Sequence, residues 1–212
     1  NIFFLVDIVG NSRCSEVKKF LPSISKSIEI NVVVVNGENA AKEGVGITEN
    51  IVNELISCGV DVITTGNHVW DHKETFEFIK KQKRLLRPLN LSSGAPGNGF
   101  GIYDSIGGYK VGVLNLMGNV FMKKCDDVFI TSKEFLEQNT QKEKYDFLIV
   151  DFHGDITREK MAIGDEFDGQ ATFVVGTTTH VPTNGRTVLT RGTHYLTDAG
   201  MCGVNSQGIG SK

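Results

Sequence analysis

The sequence predicts an α/β protein, with helices layered on mixed β-sheets in a single domain over residues 1–212. Three observations carry this expectation. Short apolar runs alternate with amphipathic stretches along the chain. Two of the runs, Val32-Val33-Val34-Val35 and Phe147-Leu148-Ile149-Val150, are apolar throughout, as central strands covered on both faces must be. Gly107-Gly108 divides two strand-like runs as a hairpin turn does, which adds antiparallel pairing to the sheets.

Taken in order, the runs place strands at 2–6, 32–35, 61–65, 100–105, 109–115, 146–150, 172–175 and 194–197. A helix over 12–20 ends near Pro22, because the ring removes a backbone donor and crowds the preceding turn. Thr48 caps a second helix whose apolar face is Ile51, Val52, Leu55 and Ile56, and Gly59 stops it. Asp71 and Glu74 form a capping-box-like pair ahead of Phe76, Phe78 and Ile79. Ser132 caps a helix bearing Phe135 and Leu136. Segment 88–99, rich in Pro, Gly, Ser and Asn, reads as a surface loop.

Composition narrows the function. With 40% apolar and 22% charged residues the chain has the make-up of a water-soluble domain. A net charge of −3 gives no electrostatic reason to bind nucleic acid stably. The first apolar run is too short to span a bilayer and lacks the flanks of a signal peptide. Cys14, Cys58, Cys125 and Cys202 are scattered without a CxxC pair, which fits reduced thiols and a cytoplasmic location. The glycines of 97–101 precede a strand rather than follow one, so they make no dinucleotide loop. Neither a Walker A motif nor a Gly-x-Ser-x-Gly elbow is present.

The polar residues at the strand ends carry the chemistry. Asp7, Glu38, Asn39, Asn67, His153 and His180 all sit there, where α/β folds gather ligands. Each has a plain alternative. Asp7 serves equally as a helix cap, Glu38-Asn39 as an ordinary turn, Asn67-His68 as a loop feature and either histidine as a structural residue. Together, five strand ends bearing carboxylate, amide and imidazole groups suit a hydrolytic site with two metals. His68 has the pKa range of a general acid. His72 and His194 fall off the pattern, and Trp70 reads as a packing residue. Lys80, Lys81, Lys83, Arg84 and Arg87 read as a solvated basic face.

Several stretches resemble the YmdB-like metallophosphoesterases of the calcineurin-like superfamily. They are Asp7-Ile8-Val9-Gly10, Asn36-Gly37-Glu38-Asn39-Ala40-Ala41, Gly66-Asn67-His68-Val69-Trp70-Asp71, Asn115-Leu116-Met117-Gly118, Asp151-Phe152-His153-Gly154 and Thr197-Asp198-Ala199-Gly200-Met201. The resemblance implies a four-layer α/β/β/α sandwich of two mixed sheets and a 2′,3′-cyclic-nucleotide phosphodiesterase with a dinuclear centre of iron or manganese. It implies that Asp7, Asn39 and His180 bind the first metal, that Glu38 bridges, that Asn67 and His153 bind the second, and that His68 is the general acid. The implied partner is a small nucleotide substrate, and a homo-oligomer stays open. Two departures stand out. Thr178 replaces the first histidine of the family's Gly-Thr-His-Thr-His motif, which predicts a weakly occupied or solvent-completed second site and leaves open compensation by a carboxylate such as Asp165. The family also continues well past the stretch at 200–203, which predicts a C-terminally shortened chain. Two rivals remain: a noncatalytic metal- or nucleotide-binding protein of the same fold, and a phosphomonoesterase.

Overall fold

The computed structural model describes residues 1–139, 144–184 and 186–202. Two sheets stack face to face. The first runs β1 (Ile2–Leu5), β2 (Val32–Asn36), β3 (Val62–Thr64) and β4 (Leu85–Leu86), all parallel. The second is built from β5 (Phe100–Asp104), β6 (Lys110–Met117), β7 (Phe147–His153), β8 (Phe173–Thr177), β9 (Thr187–Val188) and β10 (His194–Leu196), in the order β5-β6-β7-β8-β10-β9. Its two outer pairs, β5 with β6 and β9 with β10, are antiparallel and the rest parallel. Mixed pairing is therefore confined to the second sheet among the described residues. The Gly107-Gly108 turn that predicted it joins β5 to β6, and Gly108 takes φ 78° there.

The layering follows from period-two alternation. Val33 and Val35 of β2 face helices α1 (Gly10–Ser27) and α2 (Glu49–Ser57), in a core with Leu21, Val52, Leu55 and Ile63. Val32 and Val34 point the other way and meet Val111, Val113 and Ile149 of the second sheet. Leu148, Val150 and Phe152 of β7 face outward onto helices α4 (Val128–Gln138) and α5 (Thr157–Glu166), with Phe135, Ile163 and Phe167. These three cores make the expected four layers. Each fully buried aliphatic side chain contributes roughly 1.5–3 kcal/mol.

All eight expected strands form, and the differences have local causes. Helix α1 runs through Pro22 instead of ending there. Pro22 lies on the exposed side of the helix, where a carbonyl left without its donor can bond water. Thr48 does cap α2, its Oγ1 accepting from Ile51 N at 3.4 Å, and Gly59 ends it at φ 106°. Helix α3 (Thr75–Phe78) is a single turn without a side-chain cap. Its expected capping carboxylates are used elsewhere: Glu74 accepts from Glu49 N, and Asp71 holds His68 and Lys123. Asp127, not Ser132, caps α4 by accepting from Phe129 N and Ile130 N, and Ser132 is buried within the helix. Arg87 leaves the solvated basic face altogether. It is buried, and its guanidinium donates to the carbonyls of Pro88, Leu89, Ala95 and Pro96, pinning the 88–99 loop. Trp70 packs on the first core edge-on to Phe76, as a structural residue. The four cysteines carry free thiols, and no helix among the described residues is long and apolar enough to cross a membrane.

Candidate active site

The face between the sheets changes character along the strands. Val32 and Val34 are followed on that face by Asn36, Val62 by Thr64, Val113 by Asn115, and Ile149 by Asp151 and His153. The parallel register sets these polar residues level, Asn36 against Thr64 and His153 against Thr177. A dry core thus becomes a buried polar floor at the carboxyl ends of both sheets. Asp151 is its hub, accepting from Asn36 Nδ2 at 3.0 Å and Thr177 Oγ1 at 2.9 Å, and from Thr64 Oγ1. Burial raises its pKa, against those three hydrogen bonds.

Above the floor lies a cavity of about 360 Å³, lined by all six strand-end residues and by His68. Asp7, fully buried at φ 37°, closes β1; its Oδ1 accepts from Asn39 Nδ2 at 2.8 Å and its Oδ2 meets His180 Nε2. Glu38 follows β2. Its Oε1 accepts from His68 N at 2.6 Å, and its Oε2 lies 2.5 Å from His153 Nε2. His153 ends β7 rather than following it, and Nε2 also lies 3.1 Å from Asn67 Oδ1. Because the Thr177 hydroxyl donates to Asp151, it accepts from His153 Nδ1 at 3.0 Å, which turns Nε2 toward the cavity. Gly66 is required by this closeness, since a Cβ there would sit 2.2 Å from the His153 ring and 2.4 Å from Glu38 Oε2.

Electrostatics point the same way. Burial works against a charged His153, but Glu38, with Asp151 and Asp7, outweighs it and raises the pKa. The bond to Asp7 raises that of His180. Both imidazoles are thus drawn to carboxylates. Among the described residues no three His, Cys, Asp or Glu side chains converge as a preformed metal cage. The donors are instead drawn into pairs, Asp7 with His180 and Glu38 with His153. One side-chain atom of the site, Thr178 Oγ1, is buried without a polar partner, and Glu38 Oε2 has the His153 ring as its neighbour. Carboxylate, amide and imidazole donors facing one cavity fit hard or borderline divalent cations.

His68 Nδ1 lies 2.5 Å from Asp71 Oδ2, leaving Nε2 available to the cavity. Asp71 in turn accepts from Lys123 Nζ at 2.9 Å. Thr178 occupies the cavity wall at φ 114°, a conformation costly for a β-branched residue. Asp165 does not compensate for it. That residue lies on α5 and acts on Tyr195, whereas the additional carboxylate at the cavity is Asp155. Sequence reading missed Asp155, although it stands two residues beyond His153. It also missed Val45, Phe121 and Met122, which join the wall from loops that carry no strand pattern.

Comparison with known proteins places the chain in a family and matches its fold. Residues 3–212 match the family described as YmdB-like protein. The chain is 42% identical over 202 residues to the 2′,3′-cyclic-nucleotide 2′-phosphodiesterase of Bacillus subtilis, covering 95% of this chain and 75% of that one. A crystal structure of a hypothetical protein from Thermus thermophilus superposes with a TM-score of 0.86 at 38% identity, covering 94% of this chain and 76% of the other. One of a novel phosphatase from Mycoplasma pneumoniae gives 0.84 at 32% identity, covering 94% and 71%.

Proposed function

Because the chain belongs to the YmdB-like family, we propose that it is a metal-dependent phosphodiesterase acting on nucleoside 2′,3′-cyclic phosphates. One observation carries this reading: six donor residues from five strand ends line a single cavity beside His68. Asp7, Asn39 and His180 would hold one divalent cation, iron or manganese, and Asn67 and His153 the other, with Glu38 between them. When bound, such cations neutralise phosphate charge and activate water.

The chain's own residues supply the rest. Asp151, through Thr177, fixes the ring of His153, and Asp7 orients Asn39 and His180. Water adds to phosphorus and gives up one proton to solvent, the bond from phosphorus to O2′ breaks, and His68 Nε2 gives its proton to O2′ and regains one from solvent. A 3′-phosphate remains. Asp71 at Nδ1 holds the ring with Nε2 toward the cavity.

His68→Ala tests the assignment. Removing a general acid costs about 10²–10⁴-fold in turnover. The variant should lose that much on adenosine 2′,3′-cyclic phosphate while binding manganese as the unsubstituted protein does. Unchanged turnover would exclude the acid role, and preferred hydrolysis of an aryl monophosphate would make the protein a phosphomonoesterase.

Thr178 favours a second reading, a metal- or nucleotide-binding protein without efficient turnover. Its buried hydroxyl has no hydrogen-bond partner and stands where the family motif has an imidazole.

A further inference from the structure

Phe121 is the least economical residue near the cavity. Its side chain is 82% exposed, and its backbone takes φ 61°, a region that L residues other than Asn, Asp and His seldom enter. Burial returns nothing for this arrangement, and none of the described ring pairs includes Phe121. An outlier held in place without structural return points to function.

The loop that carries it is firmly tied. Asn119 N donates to Glu159 Oε1 at 2.8 Å, Asn119 Nδ2 donates to Asp126 O at 3.0 Å, and Asn119 Oδ1 accepts from Val128 N at 2.9 Å. Asp126 N donates to Asn90 O at 2.7 Å. Lys123 fastens the middle of the loop to Asp71, the partner of His68. Both ends are therefore pinned, and the tip, Phe121-Met122, is placed relative to the proton donor. Tip and donor residues line the same cavity, and Val45, 37% exposed, adds a second apolar contact.

We propose that Phe121, assisted by Met122 and Val45, is the platform on which the base of a nucleotide substrate stacks while its phosphate lies among the strand-end donors. The inference rests on the phosphodiesterase reading and deepens it by naming the group that gives nucleotides preference over smaller diesters. Every base has a π-face, so one exposed ring recognises nucleotides with little preference among bases. The cavity, about 360 Å³, is within the usual range for small-ligand sites.

The test compares adenosine 2′,3′-cyclic phosphate with ethylene phosphate, a five-membered cyclic diester without a base. In Phe121→Ala the ratio of kcat/KM for the two should fall about tenfold, mostly through KM, as loss of one stacked base implies. Phe121→Trp should restore it. Calorimetry provides a readout independent of turnover: adenosine 3′-monophosphate should weaken about tenfold relative to inorganic phosphate in the Ala variant. Phe121→Gly should lose the same preference without loss of melting temperature, because glycine accepts the backbone angle. Unchanged ratios in Phe121→Ala, or no recovery with Trp, would overturn the platform. If the unsubstituted protein hydrolysed neither diester, the functional reading would fall, and the calorimetric ratio would still decide the role of the ring.

Discussion

His153 and His180 line one cavity, yet the fold holds them by different means. His153 is the last residue of a central strand, nearly fully buried, with Nδ1 fixed by Thr177 and Nε2 facing Glu38 and Asn67. His180 lies on a turn beyond β8, takes φ 60°, is about two-fifths exposed and touches only Asp7 among the donor residues. A side chain borne on a strand inherits its position from the sheet. A side chain borne on a turn needs a separate anchor. Here that anchor is Asp198, which accepts from Thr179 N at 3.1 Å, Thr179 Oγ1 at 2.7 Å and Gly200 N at 2.8 Å, and is neutralised by Lys160 Nζ at 2.6 Å. Lys160 and Asp198 are both 1% exposed, so α5 supports the turn through an ion pair sealed from water.

The largest expected effect breaks that anchor. Lys160→Met leaves the Asp198 carboxylate buried without its cation, which costs about 3–5 kcal/mol. For a chain of this size each kcal/mol lowers the melting temperature by roughly 2–4 °C. Thermal unfolding should therefore shift down by about 10 °C. Manganese titration should show the His180 side weakened more than the His153 side, because the strand that carries His153 does not depend on this pair. Equal weakening of both sides would remove the distinction between strand and turn.

The next effect tests the symmetry of the two halves. Thr178→His places an imidazole on the turn, where the present hydroxyl is buried and unpartnered. Changes at partners of metal ligands alter affinity or activity by about 10–100-fold, and a direct ligand should give at least that gain. Binding of a second equivalent of manganese, followed together with hydrolysis, checks it. A gain in both identifies a weakened enzyme. Tighter metal without turnover supports the noncatalytic reading.

The same contrast explains what the sequence disclosed. Strands were legible because their apolar runs leave a periodic signal, and six of the residues that line the cavity could be picked out because they stand at the ends of those runs. Alone, Asp7 or Asn67 has an ordinary structural reading; only the joint strand-end pattern suggested metal chemistry, and which metal each would hold came only from resemblance. Residues whose role depends on long-range contact left no local trace. Arg87 looked like one more exposed cation until the 88–99 loop folded its carbonyls onto the guanidinium. Asp71 and Glu74 looked like a capping box because sequence spacing cannot show that His68, Lys123 and Glu49 compete for the same oxygens. Helix α5 escaped because its polar residues Glu159 and Lys160 are buried by partners distant in sequence, Asn119 and Asp198.

The smallest effect lies on the surface, where Lys123 ties the Phe121 loop to the strand side through Asp71. Partial burial pushes the Asp71 pKa up, but the bonds from Lys123 and His68 outweigh it and hold the carboxyl below its ordinary value of 3.8. A depressed carboxylate pKa contributes stability above the unfolded value, and that contribution is lost as pH falls through the folded one. The pair is partly exposed, so its worth lies within the ~0–1 kcal/mol of surface ion pairs. Lys123→Met should therefore unfold slightly more easily than the unsubstituted protein from about pH 5 to 7, and the gap should close at pH values below the ordinary carboxylate range. Urea unfolding of the metal-free protein at several pH values measures it. A gap that persisted in strong acid would mean that Lys123 acts through its packed methylenes rather than its charge, and the loop would then be fastened to the strand side by packing rather than by the ion pair.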